Sequence, residues 1–289
     1  MPTIVFATCA RMPAPTQSDA ILAAALEARG ARVEAAPWSG PQAPFERADM
    51  TVVRSTWDYA EQPEAFAAWL DGLDRARGEG RPVVNAPGLM RWNMDKRYLL
   101  DLAAHGAALP PTLSAAPEAA AIADALTGLG VERAIVKPRI GAGARGLSMV
   151  EARDPSSLAR AAGALKGGQA LVQAFMPEIE TRGETSMIFV DGAFSHAVVK
   201  RPKAGDIRVQ EDHGGRAGPV DPPAFAVEAA GRLLDRLPEP AVYARIDGVV
   251  LDGGFQLMEV ELIEPELFFT YFPSSGAAAR FADALMTRL

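Results

Sequence analysis

The sequence lacks several features that would narrow its function at once. It has a single cysteine, Cys9, which excludes an intrachain disulfide and fits a reducing cytoplasm. No run approaches the roughly 18 apolar residues of a membrane span, and residues 1–6 lack the charged-then-apolar layout of a secretion signal. A net charge of −7 provides no basic face for nucleic acid. These absences predict a cytoplasmic protein that binds neither membranes nor nucleic acid.

The chain does have enough apolar material for a full core, since 49% of its 289 residues are hydrophobic. Over residues 1–92, short strands alternate with helices, which is the pattern of a parallel, Rossmann-like sheet. Strands are predicted at 3–8, 31–35, 50–54 and 82–85, and helices at 18–29 and 63–77. No Gly-x-Gly-x-x-Gly follows the first strand, so an oxidoreductase with a nicotinamide site there is not expected.

After a helix predicted at 93–105, the pattern changes to antiparallel hairpins. The clearest hairpin signal is the two-residue turn Asp191-Gly192 between two strand-like runs. Strands are predicted at 134–137, 147–150, 171–175, 185–190, 193–200 and 241–246, and helices at 224–236 and 274–289. The predicted fold class is therefore α/β and α+β, with lobes at 1–92, 93–170 and 171–289.

Three acidic residues fall on one predicted hairpin near the end of the chain. Glu259 and Glu261 alternate in a run of strand formers, so both carboxylates leave the same face. Asp247 ends the preceding strand, and a turn at 252–254 joins the two. Three buried like charges are very costly unless a cation lies among them, and oxygen ligands favour Mg²⁺ or Mn²⁺. The alternative is a polar edge strand with solvated acids.

Two lysines are candidates for binding phosphate. Lys137 lies in an apolar strand directly before a glycine-rich turn that contains Gly141 and Gly143. A lysine in such a strand needs an anionic partner, and glycines let backbone N–H groups close on phosphate oxygens. Lys96 lies in the first turns of the predicted helix 93–105. The alternatives are a glycine-rich hairpin turn without a ligand and a surface lysine.

An apolar run at 171–177 is a candidate for binding adenine. If it is an edge strand, its backbone groups are open to an adenine, and Phe175 and Met176 form the walls. Glu184 follows in a turn, where a carboxylate is able to accept both ribose hydroxyls. A core strand has the same sequence pattern and remains the alternative.

The loop 200–210 gathers basic residues, including Lys200 and Arg208, in an otherwise acidic chain. It is either an anion clamp or a solvated charged loop. Taken in order, these motifs resemble the ATP-grasp ligases, and within them the glutathione-synthetase-like branch, which shares the pattern at 205–208 and 214–215. The resemblance runs from residue 96 to 265. It implies an ATP-grasp fold, in which a Rossmann-like lobe precedes two α+β lobes that clasp the nucleotide.

The resemblance also implies an activity, an ATP-dependent carboxylate–amine ligase that acts through an acyl phosphate without a protein nucleophile. Its cofactors are ATP and Mg²⁺ or Mn²⁺. The implied nucleotide-binding residues are Lys96, Lys137, Gly141, Gly143, Gln173, Phe175, Met176 and Glu184. The implied metal ligands are Asp247, Glu259 and Glu261, although the branch usually has asparagine at the last position. The implied catalytic residues, which face the transferred phosphate, are Lys137, Lys200 and Arg208.

Segments 53–59 and 91–99 resemble a narrower group, the cyclo-ligases of cycloserine biosynthesis and their relatives, which close a ring in O-ureidoserine. This resemblance implies substrate contacts from Arg54, Ser55, Thr56, Trp57, Asp58 and Arg208, with core packing as the alternative for Trp57. The partners it implies are a small-molecule carboxylate and an amine, and, as in many relatives, a second copy of the chain. Two alternatives stay open: an intramolecular cyclo-ligase and a catalytically silent nucleotide-binding protein.

Overall fold

Three β-sheets follow one another along the chain in the computed structural model, which describes residues 1–203, 208–209 and 214–289. The first sheet is parallel and the other two are antiparallel. Of the predicted motif at 205–208, residues 205–207 lie outside the described residues. No helix in the described part of the chain is long and apolar enough to span a membrane.

The first sheet confirms the predicted Rossmann-like lobe. Its elements are β1 (Thr3–Thr8), α1 (Gln17–Glu27), β2 (Arg32–Pro37), α2 (Ala43–Arg47), β3 (Met50–Ser55), α3 (Pro63–Gly78) and β4 (Val83–Val84). The strand order is β2-β1-β3-β4. Along β1, Ile4 and Phe6 pack in one core cluster and Val5 and Ala7 in another. Both faces of the strand are therefore covered, which explains its uninterrupted apolar sequence.

The single helix predicted at 93–105 is wrong, because the chain forms two helices here. These are α4 (Pro87–Met94) and α5 (Tyr98–Ala104). At the break, the guanidinium of Arg139 donates to Asp95 at 2.9 Å, and the backbone N–H of Lys96 donates to the carbonyl of Arg139 at 2.8 Å. These contacts replace helical hydrogen bonds, and they place Lys96 in the break rather than on a helix.

The second sheet has the strand order β5-β8-β6-β7. Its elements are β5 (Thr112–Ala115), α6 (Ala119–Leu129), β6 (Arg133–Pro138), β7 (Ser148–Glu151), α7 (Pro155–Ala164) and β8 (Ala170–Ala174). We expected β8 to begin the third lobe, but it pairs with β5 and β6. The predicted boundary at 170/171 therefore falls inside this sheet, and we propose that the division between the two lobes lies after β8.

The third sheet has the order β11-β10-β9-β12-β13. Its elements are α8 (Glu178–Arg182), β9 (Glu184–Val190), β10 (Ala193–Arg201), β11 (Arg216–Pro219), α9 (Ala224–Leu234), β12 (Tyr243–Leu251), β13 (Gly254–Glu261) and α10 (Ala277–Met286). The predicted turn between β9 and β10 forms with positive φ at both central residues, Asp191 (48°) and Gly192 (75°). This is the backbone geometry that tight antiparallel hairpins favour.

Side chains from α4 and α5 complete the outer edge of β13. The hydroxyl of Tyr98 donates to the carbonyl of Val260 at 2.8 Å and accepts from the N–H of Val260 at 2.9 Å. Asn93 donates to the carbonyl of Val260 at 2.8 Å and accepts from the N–H of Leu262 at 2.9 Å. An edge strand leaves such groups unpaired. These two side chains stand in for a neighbouring strand and fix the position of β13.

We expect Tyr98→Phe to lower the free energy of unfolding by about 2 kcal/mol, because it leaves buried backbone groups of Val260 without a hydroxyl partner. Urea denaturation followed by circular dichroism measures this loss. Tyr59→Phe is the control, because Tyr59 is also buried but its hydroxyl makes no hydrogen bond within the described residues. Equal losses in the two variants would contradict a specific role for the Tyr98 hydroxyl.

Candidate active site

The predicted acidic hairpin forms and brings its three carboxylates together. In the pairing of β12 and β13, Asp247 lies opposite Glu259 and Arg245 lies opposite Glu261. Alternate residues of a strand share a face, so these four side chains leave the same side of the sheet. Asp247 lies in the middle of β12 rather than at its end.

The cation nearest these acids is an arginine of the chain itself. Arg245 Nη2 lies 2.8 Å from Asp247, and the same nitrogen also contacts Glu261. The residues described here contain no group of three or more Asp, Glu, His or Cys side chains arranged to hold a metal ion. The cage of three carboxylates around one ion is thus not seen, since Arg245 bridges two of the three acids. The metal role of the individual carboxylates stays a prediction.

Lys96 reaches the same acidic face from the break between α4 and α5. Its Nζ lies 2.8 Å from Glu259 and donates to the carbonyl of Gly141 in the glycine-rich turn at 2.7 Å. Burial acts to lower the pKa of Lys96, but the carboxylates of Glu259, Glu261 and Glu264 together outweigh it and raise this pKa. Lys96 therefore stays charged and joins the glycine-rich turn to β13.

Lys200 joins two further predicted residues. Its Nζ lies 2.6 Å from Glu184 and 3.1 Å from Asp247, and all three side chains are largely buried. Gly183 allows this arrangement, because a Cβ there would lie 2.6 Å from the carbonyl oxygen of Lys200. The close approach sets Glu184 directly opposite Lys200 in the pairing of β9 and β10.

Lys137 differs from the other lysines because both of its hydrogen-bond partners are neutral. Its Nζ donates to the side-chain oxygen of Gln173 and to the carbonyl of Met258, each at 3.3 Å. Burial lowers the pKa of Lys137, and Glu259 acts in the opposite direction. The anionic partner that the sequence predicted is not found among the described residues. Lys137 is thus a buried cation whose charge no ion pair with a described residue balances.

A single cavity brings together nine of the predicted site residues. They are Lys137, Gln173, Phe175, Met176, Glu184, Arg208, Asp247, Glu259 and Glu261. Apolar side chains such as Ile135, Leu147 and Met258 line the rest of the wall. Apolar walls with a few charged groups are the usual lining of a small-molecule site. Lys96 and Lys200 contact this lining through their ion pairs with Glu259, Glu184 and Asp247.

The prediction that the strand at 171–175 is an edge strand, with backbone groups open to adenine, is wrong. Residues 170–174 form β8, which lies inside the second sheet and pairs on both sides. The sequence could not distinguish a central strand from an edge strand, because both are apolar. Phe175 and Met176 follow β8 and do line the cavity. Any backbone contact to adenine must therefore come after Ala174.

Two of the predicted substrate contacts, Arg54 and Asp58, also bind groups of the protein itself. Arg54 is 2% exposed, forms an ion pair with Asp19 at 2.7 Å and donates to the carbonyl of Pro265 at 2.8 Å. Asp58 accepts a hydrogen bond from the indole of Trp38 at 2.6 Å. Neither residue lines the cavity. Arg54 Nη1, by contrast, is buried without a hydrogen-bond partner in the described part of the chain. The substrate roles of Arg54 and Asp58 therefore stay predictions.

Trp57 connects the first sheet to the chain that follows β13. Its indole N–H donates to the carbonyl of Glu264 at 3.1 Å. Its own carbonyl accepts a hydrogen bond from Arg145, in the glycine-rich turn, at 2.5 Å. The substrate roles of Ser55, Thr56 and Trp57 stay predictions, as does the nucleotide role of Gly143.

Sequence reasoning gave no role to two buried charged residues near the acidic hairpin, Arg245 and Glu264, neither of which lines the cavity. The spacing of Arg245, two residues before Asp247, was a signal that both share a face. Glu264 lies in the segment 262–268 and gave no such signal, because its burial depends on contacts with the first sheet. Burial first, and then the neighbouring Glu261, raises the pKa of Glu264 from 4.5 to about 8.

Comparisons with known protein families identify the class to which this fold belongs. Residues 102–265, more than half of the chain, match the profile of the prokaryotic glutathione synthetase ATP-grasp domain. Residues 4–80 match the N-terminal domain of D-cycloserine synthetase DcsG. The chain therefore belongs to the ATP-grasp ligases, as the order of its motifs predicted, and members of this family use ATP.

Individual relatives cover nearly the whole chain. The cycloserine biosynthesis protein DcsG of Streptomyces lavendulae is 32% identical over 274 residues, which is 90% of each sequence. The crystal structure of D-cycloserine synthetase DcsG superposes with a TM-score of 0.85 at 30% identity, over 99% of both chains. The glutathione synthetase of Prochlorococcus marinus (strain MIT 9313) is 29% identical and matches 83% of this chain and 76% of its own length.

The raised pKa of Glu264 gives a test of its burial. Because the folded pKa lies above that of the unfolded chain, the stabilisation from a protonated Glu264 is complete below pH 4.5 and is lost as the pH rises through about 8. Glu264→Gln cannot ionise, so we expect it to match wild type at pH 5 and to melt several degrees higher at pH 9. Differential scanning calorimetry measures this difference.

The control for this experiment is Glu266→Gln, in the same segment. The Glu266 carboxylate accepts a hydrogen bond from the N–H of Phe268 at 2.8 Å, which a glutamine oxygen is also able to accept. Its melting temperature should follow that of wild type across the pH range. A Glu264→Gln variant that loses stability at pH 9 would show that the carboxylate has a cationic partner.

Proposed function

We propose that the chain is an ATP-dependent carboxylate–amine ligase that forms an acyl phosphate on a small amino-acid-like substrate. The observation that carries this proposal is the unbalanced charge of Lys137. A buried ammonium with neutral partners is costly unless it meets an anion, and it lies in a cavity large enough to admit part of a ligand. A nucleotide phosphate supplies that anion, and the family membership supports the same assignment.

We propose that the nucleotide lies across the boundary between the second and third sheets. Phe175 and Met176 follow β8 and line the apolar part of the cavity, where an adenine would pack. Glu184 begins β9 and lines the same cavity, so its carboxylate is assigned to the ribose. Lys137 and Lys96 then lie on the phosphate side, next to Glu259. Gly141 and Gly143 are assigned to a lid over the phosphates.

The side chains that Lys96 and Lys200 contact are carboxylates, and carboxylate oxygens are ligands that Mg²⁺ prefers. Asp247 and Glu259 lie opposite each other on paired strands. Mg²⁺ usually takes one or two carboxylates together with substrate phosphates, so a complete protein cage is not required. We propose Asp247, Glu259 and Glu261 as its protein ligands, with Mn²⁺ as an equivalent ion. When bound, the ion would neutralise part of the negative charge of the phosphates.

The reaction that follows needs alignment rather than a protein nucleophile. A carboxylate oxygen of the substrate attacks the γ-phosphorus, and the bond to the ADP oxygen breaks. The amine nitrogen then attacks the carbonyl carbon of the acyl phosphate, phosphate leaves, and the nitrogen loses a proton. Lys137, Lys200 and Arg208 are assigned to hold the transferred phosphate, and the glycine-rich turn to exclude water.

A second candidate, intramolecular ring closure, is favoured by one observation. Residues 4–80 match the N-terminal domain of a cycloserine synthetase, and this first sheet contacts the segment after β13. In that reaction the attacking nitrogen belongs to the same molecule as the activated carboxylate. A silent nucleotide-binding protein is not favoured, because the three acids and the lysines of the site are all present. We further propose a cytoplasmic location and a homodimer.

We expect ADP release from ATP and Mg²⁺ only when an acid substrate is added, in a screen of amino acids that includes O-ureidoserine. Release with a single compound supports ring closure, whereas release only with a pair supports joining of two molecules. Glu259→Gln should release no ADP and should lose the dependence of nucleotide affinity on Mg²⁺. Absence of ADP release across the panel would favour the silent nucleotide-binding protein.

We expect Lys137→Ala to weaken ATP binding by roughly 10- to 100-fold, because it removes a charge-assisted hydrogen bond to phosphate. Isothermal titration calorimetry with a non-hydrolysable ATP analogue measures the change. Lys166→Ala, at an exposed lysine of the second sheet's lobe, is the control and should bind as wild type does. Unchanged affinity in Lys137→Ala would contradict the phosphate role.

A further inference from the structure

The glycine-rich turn between β6 and β7 is held at two points by different parts of the chain. On one side, the ammonium of Lys96 donates to the carbonyl of Gly141 at 2.7 Å. On the other side, Arg145 contacts the first lobe. Its Nη2 donates to the carbonyl of Trp57 at 2.5 Å, and its Nη1 donates to the carboxylate of Glu61. The turn therefore joins two segments that are distant from it in sequence.

Hydrogen bonds to the third sheet fix the part of the first lobe that receives Arg145. The indole of Trp57 donates to the carbonyl of Glu264 at 3.1 Å. The hydroxyl of Tyr243, in β12, lies 2.7 Å from the carbonyl of Val53 and 2.6 Å from that of Ile263. A turn docked on this segment thus has a defined position relative to β12 and β13, which carry the proposed metal ligands.

Two further contacts support docking at the same place. Ala142, in the turn, packs against the core cluster that contains Tyr59. The carboxylate of Glu61 lies 3.2 Å from Arg11 as well as contacting Arg145, so an arginine holds it on each side. The Arg145 and Glu61 side chains remain 42% and 50% exposed. Because exposed ion pairs are weak, this contact is able to form and break without disturbing the core.

We propose that Arg145 and Glu61 are positioning residues that keep the glycine-rich turn closed on the first lobe during the reaction. The inference rests on the proposed ligase function, in which this turn excludes water, and adds the groups that hold it in place. An open turn admits water to the acyl phosphate. The water oxygen then attacks the carbonyl carbon, phosphate leaves, a proton is released and the substrate carboxylate is restored, so ATP is hydrolysed without product.

Hydrogen exchange at residues 141–149, measured by mass spectrometry on the nucleotide-free protein, tests the contact without relying on activity. We expect exchange to be roughly 2- to 5-fold faster in Glu61→Gln, which is the range that one exposed ion pair supplies. Arg145→Met should exchange faster still, because it also loses the hydrogen bond to Trp57. The double variant should exchange no faster than Arg145→Met alone, since Glu61 acts through Arg145.

The matched control is Arg153→Met. Arg153 forms an exposed ion pair with Glu132 at the end of the β6–β7 hairpin opposite the turn, and exchange in this variant should equal that of wild type. For any acid that elicits ADP release, the number of ADP molecules formed per product should rise severalfold in Arg145→Met and Glu61→Gln, but not in Arg153→Met.

Three results would overturn the inference: unchanged exchange in both variants, additive effects in the double variant, or an unchanged ratio of ADP to product. Absence of ADP release with every acid contradicts the ligase function instead. In that case the exchange measurements alone decide whether Arg145 and Glu61 hold the turn.

Discussion

The site depends on how the outer edge of β13 is held. Tyr98 and Asn93 supply the hydrogen bonds that a neighbouring strand would supply, and Asn85 donates to the carbonyl of Leu262 just beyond the strand. An unsupported edge strand frays or slips, and a slip of one residue turns every side chain to the opposite face. With the edge fixed, Glu259 and Glu261 must face the cavity, and the chain between Asn93 and Tyr98 must bring Lys96 to Glu259.

Charge pairing on this face follows a simple pattern with two exceptions. Lys96, Lys200 and Arg245 each contact at least one carboxylate. Lys137 has neutral partners, and Glu264 has no ion pair within the described part of the chain. One exception is a cation without an anion, and the other is an anion without a cation. An anionic ligand in the cavity, such as the nucleotide phosphate proposed above, would balance the charge of Lys137.

Local patterns predicted the elements and much of the cavity, but not the contacts between distant segments. Short-range spacing in the sequence was enough to predict the strands, the acidic hairpin and the residues around Lys137. The break at Lys96 depends on Arg139, and the interior position of β8 depends on pairing with β5. Likewise, Arg54 lies near the end of an apolar strand, and the segment 53–59 that contains it resembles the cyclo-ligases. Only the fold shows that Asp19 and Pro265 already bind its guanidinium.

The first sheet therefore has a role beyond the packing of its own core. The end of β3 contacts the segment after β13 through Arg54 and Trp57, and Arg145 of the glycine-rich turn reaches the carbonyl of Trp57. Three lobes thus meet at one tryptophan. The first sheet is therefore tied by hydrogen bonds both to the segment after β13 and to the glycine-rich turn.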